Sequence, residues 1–122
     1  MKVYMGKTKQ FIKIDPWDTW SMDHTLAKIV VPMLKQLRDT THGSPVVDWE
    51  DRPDHLIGCI IEPNNGEVDE FFHQAWDWVL TEMIYSFQHS IDQWDVDSEQ
   101  VDHDRVKNGF RLFGKYYQNL WD

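Results

Sequence analysis

Apolar residues recur in three long segments at the spacing of a helix face, and in one short amino-terminal segment at the spacing of a strand. Leu26, Val30, Met33, Leu34 and Leu37 repeat at intervals of three and four across residues 21–39, which puts them on one side of an α-helix. Ser21 or Asp18 can cap this helix, and Asp23 suits its first turn. Pro32 lies inside it, removing an N–H and crowding the Lys28 carbonyl at a cost of about 3 kcal/mol. The periodicity continues past it, so the reading is a kinked first helix. A second helix over residues 67–93 aligns Phe72, Trp76, Leu80, Met83, Phe87 and Ile91. Val68, Phe71, Ala75, Trp78 and Val79 form a second stripe beside the first. The combined arc spans roughly two thirds of the circumference, more than a surface helix needs. This helix is expected to be packed on at least two sides.

A third helix is expected from about Ser98 to Trp121, capped by Asp97 or Ser98, with Val106, Phe110, Phe113, Tyr117, Leu120 and Trp121 facing the core. Gly109 and Gly114 sit inside it at up to about 1 kcal/mol each against Ala. Such glycines mark a close helix–helix approach or the approach of a ligand to backbone. At the amino end, residues 1–5 and 10–14 flank Gly6-Lys7-Thr8-Lys9, and Phe11-Ile12-Lys13-Ile14 partly alternates. This predicts a small hairpin or strand pair, ended by Asp15-Pro16. Residues 40–66 are rich in turn signals, and their one apolar stretch, Leu56 to Ile61, reads equally as a strand or a buried loop. The expected fold is mainly α: a compact three-helix domain with a short amino-terminal β hairpin or strand, one domain over residues 1–122.

Composition narrows the class. A chain of 122 residues and 14.6 kDa suits one domain with a real core. Aromatics at 14% exclude a disordered tail. The single cysteine excludes an internal disulfide framework and a cysteine-based zinc site. No apolar run approaches the roughly 20 residues of a membrane span, and the first residues do not read as a signal peptide. The expectation is a soluble intracellular protein with no membrane partner. Charge is blocky: residues 1–38 carry seven Lys/Arg against three Asp, residues 39–104 one Arg against seventeen Asp/Glu, and residues 105–122 four Lys/Arg against one Asp. Basic ends around an acidic middle can fold back onto it or drive head-to-tail association. A net charge of −9 argues against binding a nucleic acid duplex.

Three groups of residues are candidates for chemistry. Glu82 falls inside the second apolar arc, with His89 two turns on, and a carboxylate there must find a partner or be neutralised. Arg111, His24 or a backbone amide can satisfy it, or it can serve a ligand. Lys107, Arg111 and Lys115 stand in line on the last helix, able to grip phosphates or to pair with the acidic middle. Histidines and acids in the loops offer divalent-cation ligands in type, yet no helical metal motif appears. No catalytic residue, metal site or cofactor is assigned.

Several strings carry a resemblance. Residues 18–27 read Asp-Thr-Trp-Ser-Met-Asp-His-Thr-Leu-Ala, followed by Pro32-Met33-Leu34-Lys35-Gln36-Leu37 and Thr41-His42-Gly43-Ser44-Pro45. With Trp76-Asp77-Trp78-Val79-Leu80, Glu82-Met83-Ile84 and Asn108-Gly109-Phe110-Arg111-Leu112-Phe113-Gly114-Lys115-Tyr116-Tyr117, this resembles a family of uncharacterised tailed-bacteriophage proteins. The match covers roughly residues 10–50 and 72–122 and departs from the family pattern at the amino end and over residues 52–68. It implies a phage protein in the host bacterial cytoplasm. The function expected in that setting is a non-enzymatic binding protein that sequesters a nucleotide-type signal or blocks a host defence protein. A small metal-dependent nucleotide or phosphoester hydrolase using Glu82, Asp77 and loop histidines is the alternative, and a virion or assembly component a third. The expected ligand site lies between the second and third helices and the Asp23-His24 turn, with Arg111 as anchor and Lys115, Lys107, Glu82, His24 and Trp78 contributing. Seventeen aromatic residues and the blocky charge also suggest a homodimer or higher homo-oligomer.

Overall fold

Two antiparallel strands, β1 (Lys2–Met5) and β2 (Gln10–Lys13), open the chain and lead through a 3-10 turn at Pro16–Thr19 into α1 (Met22–Thr40). Two short 3-10 turns, Trp49–Asp51 and Asp54–Leu56, precede α2 (Phe72–Asp92) and α3 (His103–Tyr116), and a last 3-10 turn spans Tyr117–Asn119. The computed structural model describes residues 1–57, 71–93 and 101–121. It is the mainly α, three-helix arrangement with a short amino-terminal hairpin that the patterns predict. Val68, the expected start of α2 and most of the apolar stretch from Leu56 to Ile61 lie outside the described residues.

The broad apolar arc of α2 has a direct structural reason. α1 packs on one side of α2 and α3 on another, so a single-sided stripe would leave polar groups against one neighbour. Trp76, Val79, Leu80 and Met83 of α2 meet Val31 and Leu34 of α1 and Leu112 and Tyr116 of α3 in one core. Burying each aliphatic side chain contributes about 1.5–3 kcal/mol relative to exposure. α1 continues through Pro32, which sits on its exposed side.

α3 departs from expectation in both register and length. Its buried face is Val106, Gly109, Leu112 and Tyr116, whereas Phe110, Tyr117 and Trp121, expected in the core, are exposed. The helix is capped by Asp102, whose carboxylate accepts from the Arg105 amide at 3.1 Å, and it ends at Tyr116. Gly109 decides the register. A Cβ at that position would overlap Ser86 Oγ and lie 2.5 Å from the Glu82 carbonyl oxygen, so only glycine lets the two backbones come this close. Ser86 Oγ uses the proximity to donate to the Val106 carbonyl at 2.7 Å. Phe110, Tyr117 and Trp121 turn outward, while Val106 is buried and Phe113 and Leu120 pack against the core as expected. Phe110 and Phe113 pack edge-on against Phe87 at 5.0 and 4.7 Å between ring centres.

Candidate functional site

The basic line of α3 meets the acidic segment that follows α1. Asp51 is almost fully buried, with 2% of its side chain accessible. Its Oδ1 takes Arg111 Nη2 at 2.8 Å, and its Oδ2 takes Lys115 Nζ at 2.7 Å and the Tyr116 hydroxyl at 2.7 Å. Lys115 Nζ also reaches Asp48 Oδ2 at 2.8 Å and Glu50 Oε1 at 3.1 Å. Burial alone would raise the Asp51 carboxyl, but hydrogen bonds from Lys115, Tyr116 and Arg111 offset it and hold the group below the usual carboxylate range. The same contacts, led by Asp48, raise Lys115. Burial, then the bond to Asp51, pushes Tyr116 up to about 12. Asp48, Glu50 and Asp51 place carboxylate oxygens within 4.8 Å of one another, a spacing that can hold a metal ion. Here the Lys115 ammonium stands among them as the chain's own cation.

This arrangement separates the residues expected to form one pocket. Arg111 and Lys115 turn to the 48–51 loop because a buried carboxylate needs their charge more than an open cleft does. His24 Nδ1 donates to the Ser90 carbonyl at 3.1 Å, tying α1 to the end of α2. Trp78 lines a different cleft with Arg38, His55, His73 and Asp77. Lys107 is exposed and has no ion pair among the described residues. The pocket anchored on Arg111 is therefore not assembled: none of its expected members lines the cleft described next, and Glu82 alone is tied to it, through a residue that does.

Glu82 finds a partner that the sequence reading did not name. Arg105, on the first turn of α3, donates its Nε to Glu82 Oε2 at 2.6 Å. The guanidinium carbon lies over the Tyr85 ring, 3.8 Å from its centre. Glu82 and Tyr85 are three residues apart on α2, so a single helix surface holds the guanidinium by a charged hydrogen bond and a cation–π contact. The bond to Glu82 raises Arg105 above its ordinary value. Its two terminal nitrogens make no hydrogen bond with a described residue.

A signal for Arg105 was present in the chain. It stands four, seven and eleven residues before Gly109, Leu112 and Tyr116, on the face that is buried. A cation on the first turn of a helix also opposes the macrodipole and calls for an acid nearby.

Arg105 borders an open cleft of about 360 Å³, with Lys35 of α1 and Tyr85, Gln88, His89 and Asp92 of α2. Gln88 Nε2 donates to the Asp92 carboxylate at 3.2 Å. Lys35 makes no ion pair with a described residue. Two cations from the flanking helices thus line one cleft with a carboxylate and an amide of the central one. The volume is within the range of small-molecule sites, about 300–1,000 Å³. Among the described residues no helix is long and apolar enough to cross a membrane. Comparison of the chain with protein-family models, with curated proteins and with solved structures finds no match.

Proposed function

We propose that the protein is a non-enzymatic binding protein that holds a small anionic ligand of nucleotide type in the cleft between Arg105 and Lys35. The observation that carries this reading is the preset guanidinium of Arg105. Glu82 and Tyr85 fix its orientation before any ligand arrives, and its terminal nitrogens remain available for a bidentate contact to a phosphate. Lys35, from α1, supplies a second charge to the same cleft. Asp92 and Gln88 suit a ribose hydroxyl or a base amine. Glu82 acts here as a positioning residue and does not touch the ligand. The resemblance to tailed-phage proteins supports a setting in an infected bacterium, where the protein would sequester a nucleotide-type host signal.

Calorimetric titration with a panel of mono- and dinucleotides tests this. Lys35→Ala is expected to weaken binding about tenfold or more without lowering stability, since a bond to a charged group contributes about 1.5–3 kcal/mol. Arg105→Ala is expected to abolish binding, whereas Lys107→Ala leaves it unchanged. Ligand released by heat denaturation should be chemically intact. A ligand recovered altered would make the protein an enzyme, and no binding by any panel member would remove the nucleotide reading.

A further inference from the structure

We infer that one face of the amino-terminal hairpin is a platform for single-stranded nucleic acid, its rings taking bases and its lysines taking phosphates. The inference does not use the Arg105 cleft. All eight residues of β1 and β2 are exposed. Alternate residues of a strand point to one face, and directly paired residues share it. The register therefore sorts the side chains by chemistry. Lys2 opposite Lys13 and Tyr4 opposite Phe11 make up one face, and Val3, Met5, Gln10 and Ile12 the other. On the first face the Tyr4 and Phe11 rings stack, 6.3 Å between centres and 27° between planes, with more than half of each residue exposed. Tyr4 also lies over the turn: a Cβ at Gly6 would come within 2.6 Å of its Cε1, so the glycine leaves room for the ring.

Cations complete the face. Residues 1–14 hold four Lys and no acid, and Lys2, Lys7, Lys9 and Lys13 make no ion pair with a described residue. Lys35 and Lys107 are unpaired as well, but among the described residues only the amino-terminal part of the chain sets such lysines beside stacked, exposed rings. Lysines directly across two strands have Cβ atoms about 4.5–5.5 Å apart and repel, and a phosphate between Lys2 and Lys13 replaces that repulsion with two attractions. A bilayer would have to take the lysines and the aliphatic residues from one side, and the register puts them on opposite sides. A single strand carries its anions and its stacking surfaces together. A duplex hides its base faces in its own stack, so the rings select an unpaired strand. The net charge of −9 does not prevent this, because screening over about 8 Å at physiological salt leaves the field at an exposed hairpin to nearby charges. Asp15 and Asp18, the next acids along the chain, are held by the amino-terminal ammonium at 3.1 and 2.9 Å. A second stacked pair follows: Trp17 and Trp20, 5.9 Å between centres and 7° between planes, border a cleft of about 510 Å³ with Met1 and the unpaired Lys28.

Fluorescence anisotropy of the full chain with end-labelled oligo-dT and oligo-U of about 12 nucleotides, within the range of single-strand sites, tests this. At least one strand is expected to bind, and an oligo-dT·oligo-dA duplex at least about tenfold more weakly. With three or four lysines on phosphates, log K should fall against log salt with a slope of about −2 to −3, and Lys13→Ala should make it shallower by about 0.7. Phe11→Leu, which keeps an apolar residue and removes the ring, is expected to weaken binding about tenfold, and Phe11→Trp to retain it. Ile12→Thr on the other face and Lys107→Ala on α3 should leave affinity unchanged. No binding to either strand overturns the inference, and binding to anionic phospholipid vesicles in that case would make the hairpin a membrane contact. Equal affinity for the duplex overturns it too, as does an equal loss in Phe11→Trp and Phe11→Leu. So does a loss in Ile12→Thr or Lys107→Ala as large as that in Phe11→Leu.

Discussion

At the scale of single residues, the two glycines of α3 have opposite meanings. Gly109 sits where α2 and α3 touch, with no room for a Cβ against Ser86 Oγ and the Glu82 carbonyl oxygen. Gly114 faces open space, with nothing within 4 Å of an added Cβ. Gly109→Ala is expected to destabilise by about 1–3 kcal/mol through overpacking. Gly114→Ala is expected to stabilise by up to about 1 kcal/mol through helix propensity alone. Urea denaturation of the two variants distinguishes them, and equal effects would mean that Gly109 does not set the helix separation. Arg105 shows the same dependence on surroundings. It reads as a surface cation in isolation, and Glu82 and Tyr85 convert it into an oriented one.

At the scale of elements, the contact between α3 and the segment after α1 depends on Asp51. The segment is built around Arg52, which donates to the Val47 carbonyl at 3.0 Å and to the Leu56 carbonyl at 3.3 Å. That wrapping buries Val47 and presents Asp51 to α3. The Asp51 carboxyl is depressed in the folded chain and titrates at the ordinary aspartate value of about 3.9 once unfolded. Its ionised form therefore stabilises the fold above about pH 4, and this contribution is lost as pH falls through the depressed native value. Asp51→Asn is expected to cost about 1.5–3 kcal/mol at pH 7, the value of a hydrogen bond to a charged group. The deficit relative to the unaltered chain should shrink steadily below pH 4. Urea midpoints at pH 7 and pH 3 check this. An equal deficit at both values would mean that Asp51 contributes by shape and not by charge.

At the scale of the whole molecule, α2 is the common partner, and Trp76 ties the layers together. Its side chain is buried and meets Tyr116 of α3 edge-on, 6.0 Å between ring centres. Through Tyr116 it is linked to Asp51 and the 48–51 loop. Trp76→Ala is expected to cost about 3–5 kcal/mol, because it empties a large central site. The loss should show as one cooperative transition shifted to lower temperature. A shift confined to a minor phase, or a cost under about 1 kcal/mol, would mean that the helices are stabilised separately.

The three helices and the hairpin were legible in the chain because periodicity is a local property: side chains repeat on one face whatever lies opposite. The double-sided burial of α2 was legible for the same reason, since the width of an apolar arc already counts its neighbours. The pairing of basic helix with acidic segment was open as one of two readings, and charge blocks alone carried it. Which face of α3 turns inward was decided by tertiary structure. Phe110, Tyr117 and Trp121 outweigh Gly109 and Leu112 in hydrophobicity, but the crossing with Ser86 admits only the smaller set. The candidate site shifted for a related reason. Arg111 and Lys115 stand out as cations in an acidic sequence, yet a buried carboxylate 60 or more residues away claims both. Arg105 acquires its orientation from Glu82, 23 residues earlier in the chain. Local spacing fixes which side chains share a helix face; which charges meet across helices depends on close approach, and that distance exists only in the folded molecule.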